Sequence, residues 1–341
     1  VSLPGFRGGY AALLAFAVFA SASARAELPA PARRSAPIQL AVTVDDLPAV
    51  GAGTPAWSKA QVLRAIIGTL VLHHVPEPVG FFNGSNMDDD PRTEAALRDW
   101  IEAGFLIGNH TFSHESADEV PPAAFERDIE RDQDVIGALD PAARRGTRYF
   151  RYPYLDRGSP KDDVQIRRFL SDHHYRIADV SVDFEDWAFS AAYARCSEHG
   201  DQAALASLAQ SYLDYALAAL FWSVDSAQRL LGRAVPQVLL IHADLFTAQK
   251  LDELLDAYEA AGVHFVSLSH ALADPVYRNA ENAHHGDTSL VRALSRERHK
   301  PLRTFVPVPI ALLDALCREP VAATLPAPAE PEDAASAASP P

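Results

Sequence analysis

The sequence predicts an α/β fold: a distorted (β/α) barrel of about seven parallel strands, with a helical insertion before the sixth. Three observations point there. Short apolar, β-branched runs alternate with longer stretches of helical period from residue 38 to residue 267, the pattern of parallel strands joined by crossover helices. Polar residues with chemistry to offer fall repeatedly just after the strand-like runs, on the side where barrel sites are built. One interval, residues 186–238, is about fifty residues long, far more than a crossover needs.

The strand-like runs are 38–43, 79–82, 105–107, 148–150, 176–182, 238–241 and 264–267, each short and bounded by turn residues or charge. Between them the helix-like stretches are 57–72, 91–103, 122–139, 161–173 and 248–261. In the last, Leu251, Leu254, Leu255 and Tyr258 recur at helical spacing and Gly262 supplies the stop. In the long interval, residues 202–231 carry a helical stripe of Leu205, Leu208, Tyr212, Tyr215, Ala219 and Trp222, widened by Leu220 and Phe221. This reads as an inserted helical pair over the barrel mouth, at about 190–234. Its aromatics serve core packing first; contact with a ligand is the alternative.

The ends are of a different character. Arg7, an apolar stretch over 11–19 and the small-residue string Ala24-Arg25-Ala26 have the form of a signal peptide over residues 1–26. A linker over 27–36 would then lead into a domain over 37–275, a C-terminal extension over 276–321 and a tail over 322–341. That tail is Ala, Pro, Ser and acid with little to bury, a composition that predicts disorder. Within the extension, residues 279–300 are polar and read as irregular, with the His284-His285 pair in a solvated loop. No later stretch is long and apolar enough for a membrane span. Thirty basic residues against 45 acidic give a net charge of −15, which argues against nucleic acid or anionic lipid as a partner. Cys196 and Cys317 are equally compatible with a disulfide or with two thiols.

Two strings carry the chemistry. Thr43-Val44-Asp45-Asp46 places adjacent carboxylates at the end of the first strand. His110-Thr111-Phe112-Ser113-His114 places two imidazoles four residues apart after the third. One carboxylate and two imidazoles form an open ligand set for zinc, with cobalt, nickel or manganese also compatible. The second carboxylate, beside the ion, is placed to take a proton from water. Asn83, Arg151, Asp183 and His242 follow the second, fourth, fifth and sixth strands. A lone histidine such as His242 reads first as a satisfied core residue, and Arg151 equally as an ion pair.

Taken together, the motifs resemble the polysaccharide deacetylase family with the NodB-type domain, carbohydrate esterase family 4. Thr43-Val44-Asp45-Asp46 is similar to its first motif, His110 to His114 to its second and Arg151-Tyr152-Pro153-Tyr154 to its third. Asp183-Phe184-Glu185-Asp186-Trp187 is similar to the fourth and Leu240-Ile241-His242 to the fifth. Two features depart from the pattern: Leu47-Pro48 stands where the family has a glycine after the paired aspartates, and the interval between the fourth and fifth motifs is long. The resemblance implies metal ligation by Asp46, His110 and His114, with Asp45 as base, braced by Arg151. It implies His242 as acid, oriented by Asp186, with Asp183 as the other residue placed to orient it or to brace Arg151. Trp187 and Leu240 would wall an acetyl pocket and the Tyr154 N–H would face an oxyanion. The implied substrate is an acetylated carbohydrate; the signal-peptide reading places the protein outside the cytoplasm, periplasmic or secreted. An O-acetyl esterase, an amidohydrolase of small nitrogenous compounds and a non-catalytic carbohydrate-binding module are the competing readings. The last predicts loss of Asp45 or a ligand, and none is lost.

Overall fold

The computed structural model describes residues 37–51, 57–141, 147–282 and 289–318. The signal-peptide, linker, tail and His284-His285 readings lie outside these. The described chain runs β1 (Ile38–Leu47), α1 (Lys59–Leu72), β2 (Val79–Phe82), α2 (Pro91–Glu102), β3 (Leu106–Asn109), α3 (Pro122–Leu139), β4 (Arg148–Phe150), α4 (Pro160–Asp172) and β5 (Tyr175–Ile177). Then come α5 (Trp187–Glu198), α6 (Gln202–Leu231), β6 (Gln237–His242), α7 (Leu245–Ala260), β7 (Val263–Phe265), α8 (Leu268–Ala271), α9 (Pro275–Asn282), α10 (Leu290–Arg298) and α11 (Ile310–Ala315).

All strand pairs are parallel, in the order β5-β4-β3-β2-β1-β6, with β7 paired to the start of β1. β1 is buried on both faces, with Leu40, Ala41, Val42, Val44 and Leu47 at most 1% exposed; this is why its sequence reads as an apolar run rather than an alternation. Gly80 on β2 makes room for Leu47, since a Cβ there would lie 2.1 Å from the leucine Cδ1. The regular part of β5 is shorter than the run 176–182 suggests, because the chain changes neighbour. Ala178 N–H still donates to Phe150 O of β4, but Ser181 and Val182 N–H both donate to Val238 O of β6. A parallel bridge joins Val182 to Leu239. One continuous segment therefore starts beside β4 and ends beside β6, which closes the sheet on itself into a distorted barrel.

The helices start where side chains can satisfy their free N–H groups. Ser58 and Gln61 form a reciprocal capping box on α1. Asp90 and Ser159 cap α2 and α4, each followed by a proline at the first turn. The aromatics of the inserted helices α5 and α6 go mainly to the core. Tyr212 of α6 packs among Phe184, Phe189 and Phe246, with ring centroids 5.0, 5.4 and 5.2 Å away, so the pair stands alongside α7 and extends the core. Truncating Phe246 to alanine should cost about 3–5 kcal/mol.

The extension corrects one expectation and settles an alternative that was left open. Residues 290–298 form α10, capped by Ser289 and burying Leu290, Val291 and Leu294, so the polar composition there reflects only its outer face. Cys196 of α5 and Cys317 after α11 form a disulfide. The Arg195 guanidinium donates to the carbonyls of Leu313 and Leu316, so the end of the described chain is held to α5 at several points.

Candidate active site

Adjacent residues on a regular strand point to opposite faces, yet Asp45 and Asp46 face the same cavity. The β1–β2 register shifts between Val44 and Leu47, and Asp46 adopts φ 66°, a bulge-like turn that re-aims one side chain. As a result Asp45 Oδ2 and Asp46 Oδ1 lie 3.6 and 3.7 Å from the same atom, His110 Nε2. The run continues through Leu47 and Pro48, so the turn is built without the glycine.

The loop after β3 brings the histidines to this spot and is tied down throughout. Asn83 Nδ2 donates to the carbonyls of His110 (2.6 Å) and Thr111 (2.9 Å). Asn109 Oδ1 accepts from Thr111 N–H, and Thr111 Oγ1 accepts from His114 N–H. These bonds hold Thr111 and His114 at positive φ, 60° and 56°. Asp132, a fully buried acid on α3, accepts from Gly84 N–H beside Asn83.

His110 Nδ1 lies 2.8 Å from the Arg151 carbonyl. A carbonyl only accepts, so Nδ1 carries the proton and Nε2 presents its lone pair to the aspartates. His114 Nε2 is 3.4 Å from Asp46 Oδ1. Burial, and then His114, pushes His110 well below the usual imidazole range; burial also lowers His114. Both rings are thus held neutral, the form a metal requires. Asp46 Oδ1 is buried without a hydrogen-bond donor. Asp46, His110 and His114 together offer ligand atoms all within 4.8 Å of one another. An orphaned carboxylate oxygen facing two imidazole lone pairs fits a divalent cation. A second group of this kind among the described residues, His73, Asp256 and Glu259, lies on the outside of α1 and α7, where His73 Nε2 already meets Asp252 at 2.9 Å.

Asp45 is 2% exposed and receives Arg151 Nη1 at 3.0 Å. The contact is made by one nitrogen and is not a bidentate fork. Arg151 Nη2 goes to Thr43 Oγ1 (3.0 Å) and Nε to the Ala178 carbonyl (2.9 Å), and the guanidinium lies over the Phe81 ring. The arginine therefore ties three strands together while it braces the acid. Burial raises Asp45 to about 6 against the opposing pull of Arg151.

Across the cavity, His242 Nδ1 meets Asp186 Oδ1 at 2.7 Å, and His242 N–H donates to Asp186 Oδ2 at 2.7 Å. Thr247 Oγ1 donates to the same oxygen at 3.0 Å. Burial alone would lower this imidazole, but the Asp186 charge and hydrogen bond, with Asp46 and Asp45 behind them, raise it to about 10. Asp183 instead accepts from Glu185 N–H; of the two acids, Asp186 is the one that holds His242. The cavity has a volume of about 460 Å³ and opens past Tyr154, Trp187 and Leu240. Trp187 and Tyr154 are 47% and 69% exposed, so they form a rim, whereas Leu240 is buried in the wall. Asp132 went unread in the sequence. Its signal was an acid at an apolar-face position of α3, in step with Phe125, Ile129 and Ile136.

The fold and cavity define a (β/α) barrel with a cluster of carboxylates and imidazoles at its carboxyl face that could hold a metal ion. The family model described as polysaccharide deacetylase matches residues 33–177. The match contains Asp45, Asp46, His110, His114 and Arg151 and ends before Asp186 and His242. No curated protein matches the chain. Among solved structures, the polysaccharide deacetylase Bc1974 from Bacillus cereus is similar at 17% identity and TM-score 0.47, covering 68% of this chain and 92% of that one. The Xyl-CE4 domain of a multidomain xylanase from the hindgut metagenome of Trinervitermes trinervoides is similar at 15% identity and TM-score 0.46, covering 70% and 92%. The CE4 family pseudoenzyme BA3943 from Bacillus anthracis is similar at 15% identity and TM-score 0.47, covering 69% and 66%. No helix among the described residues is long and apolar enough to cross a membrane.

Proposed function

We propose that this chain is an exported, metal-dependent hydrolase that removes acetyl groups from a carbohydrate, above all N-acetyl groups of an N-acetylglucosamine-containing polysaccharide. The observation that carries the reading is the pairing of opposites across one cavity. On one side stands a buried carboxylate beside two neutral imidazoles; on the other stands an imidazole that Asp186 keeps protonated. Separated acid and base of this kind are what hydrolysis of an unactivated amide needs.

Asp46, His110 and His114 would hold one divalent cation, zinc first, with cobalt, nickel or manganese also suited to two nitrogens and an oxygen. When bound, such an ion polarises a carbonyl and makes water more acidic. Asp45, fixed by Arg151, takes the proton from the attacking water. Arg151 is itself fixed by Thr43 and the Ala178 carbonyl, so Asp45 cannot swing away. The backbone N–H of Tyr154, in a turn where Tyr154 and Leu155 both have φ 55°, is assigned to the developing oxyanion. His242 gives its Nε2 proton to the departing nitrogen, while Asp186 holds the ring by Nδ1. Leu240 and Trp187 flank the acetyl methyl. The Cys196–Cys317 disulfide supports an oxidising compartment outside the cytoplasm. Nothing in the cavity or the net charge suits nucleic acid.

The test is acetate release, measured by mass spectrometry, from a panel of N-acetylated and O-acetylated glycans with and without chelator. Chelator-sensitive release from an N-acetylated glycan is the expected result. Release from O-acetylated glycans alone would reassign the bond, and no release from any would refute the reading.

A further inference from the structure

Away from the cavity, the C-terminal end of α1 meets the outer face of α7. His73 follows the last turn of α1 as its cap, and its side chain is only 6% exposed. Facing it from α7 are Asp252, Asp256 and Glu259. They are spaced i, i+4 and i+7, so they share one face of that helix. None of the three acids pairs with a lysine or an arginine among the described residues. A row of like charges, which repel at this spacing, therefore stands against one buried imidazole.

The two ring nitrogens are held differently. Nε2 lies 2.9 Å from Asp252 Oδ1. A carboxylate only accepts, so Nε2 carries a proton. Nδ1 lies 3.5 Å from Glu259 Oε1. A charged N–H donating to a carboxylate would close to about 2.7–2.9 Å, so Nδ1 presents its lone pair. A histidine that gives one N–H to a carboxylate and turns its other nitrogen towards further acids has the arrangement of a metal ligand with its orienting partner. The spacing agrees. Zinc bonds of about 2.0–2.2 Å to nitrogen and oxygen, at tetrahedral angles, set neighbouring ligand atoms about 3.3 Å apart. The ligand atoms of His73, Asp256 and Glu259 all lie within 4.8 Å of one another. Both acids are exposed, so side-chain rotation can close the remaining gap.

We propose that His73 Nδ1, Asp256 and Glu259 form a second divalent-cation site, zinc first, with Asp252 orienting the imidazole. The inference does not depend on the deacetylase reading. An imidazole and two carboxylates suit zinc, with water completing the shell. The site joins the helices that follow β1 and β6, the strands of Asp45 and His242, so a bound ion clips together the two crossovers next to the cavity. An ion that binds only the folded chain stabilises it. Because the acids are exposed, this ion exchanges with solvent, leaves during purification and returns when zinc is supplied.

The experiment titrates metal-stripped protein with zinc alone, by calorimetry, in wild type, His73→Gln, Glu259→Gln, Asp252→Asn and His114→Ala. Wild type should take up about two equivalents, and the weaker of them should be absent in His73→Gln. Glu259→Gln leaves α1 untouched and should lose the same equivalent. Asp252→Asn should bind it about 10- to 100-fold more weakly. Zinc should raise the melting temperature of His114→Ala but not that of the His73→Gln, His114→Ala double variant. Zinc uptake equal in wild type, His73→Gln and Glu259→Gln would overturn the site, and an unchanged affinity in Asp252→Asn would overturn the orienting role. The two cation sites fail separately: an equivalent lost in His73→Gln but not in His114→Ala would sustain this site and refute the one in the cavity.

Discussion

Asp186→Asn changes one charge and almost no shape, so its effect on His242 can be worked through. Asp186 is fully buried and accepts from His242 Nδ1, His242 N–H and Thr247 Oγ1. An asparagine amide has one acceptor oxygen, so one orientation turns its NH₂ towards the His242 backbone N–H, and the other turns it towards Nδ1, which accepts only when the ring is neutral. That costs stability by about 1–3 kcal/mol. The larger effect is on the imidazole. With the carboxylate, His242 titrates at about 10; without it, burial remains the strongest influence and pulls the ring to the ordinary value of about 6.5 or lower. At pH 8 the protonated fraction would then fall from nearly all to about 3%, a loss of about 30-fold in the competent acid.

The assay is the pH dependence of acetate release from an N-acetylated oligosaccharide. In wild type the alkaline limb should lie near 10; in Asp186→Asn it should lie below about 7, with activity recovering as the pH falls. The His242–Asp186 pair also stabilises the fold. Because the folded value is raised, that stabilisation is present in full below about 6.5 and is lost as the pH rises through about 10. The stability gap between wild type and variant should therefore close at high pH. An alkaline limb that stays in place, with activity lowered equally at every pH, would show Asp186 to be packing alone and would refute the acid assignment.

His114→Ala should abolish the roughly one equivalent of divalent ion found by elemental analysis in the wild type, while circular dichroism stays unchanged, since the barrel core does not depend on the ion. Asp45→Asn should keep the ion and oligosaccharide binding but turn over about 10²–10⁴-fold more slowly, the usual worth of a general base; near-normal turnover would require another base. The acid limb of the wild-type profile reports Asp45. It should lie near 6 in metal-free spectroscopic titration and lower once a cation is added, because the cation favours the ionised form. Replacing both Cys196 and Cys317 with serine should lower stability in denaturant titration by about 2–4 kcal/mol, and added reductant should produce the same shift in wild type but none in the double variant.

Most of the barrel was legible because β1, β2 and β6 are buried on both faces or nearly so, and each reads as an isolated apolar run. Four of the seven strand-like runs carry the polar residue at their ends that later meets others in the cavity. What the sequence concealed has a physical cause in each instance. The run 176–182 reads as one strand because β-branched residues continue through it, while the change of partner from β4 to β6 leaves no mark on residue type. Residues 290–298 read as irregular because the exposed face of α10 dominates its composition and the four buried apolar residues are a minority. Arg151 was read as a brace for Asp45 alone; its other partners Thr43 and Ala178 come from elsewhere in the sequence, and only the closed sheet brings their oxygens within reach. The aromatics of the inserted helices read as core residues, but their partner, Phe246 at the start of α7, is distant in sequence and no local spacing reveals it.

The precision of the site comes from the register of the sheet. Leu47 pairs with Phe82, Phe82 with Asn109, Asn109 with Phe150 and Phe150 with Ile177, one continuous rung across five strands. His110 and Arg151 each follow a member of that rung by one residue, so they leave the sheet at the same height, and Asn83 does likewise. On the other edge of β1, Asp45 is the register partner of His242, which fixes the proposed base and acid on neighbouring strands about 4.8 Å apart at the backbone. Groups set by strand pairing move only if the sheet moves, whereas groups set by loops move with each loop. Asp46 is the exception: it reaches the imidazoles through a local register shift and a positive φ. A substitution that restores regular pairing at this point would carry Asp46 to the opposite face while leaving Asp45, His110 and His242 in place. The cation site would then be lost with the acid and base intact.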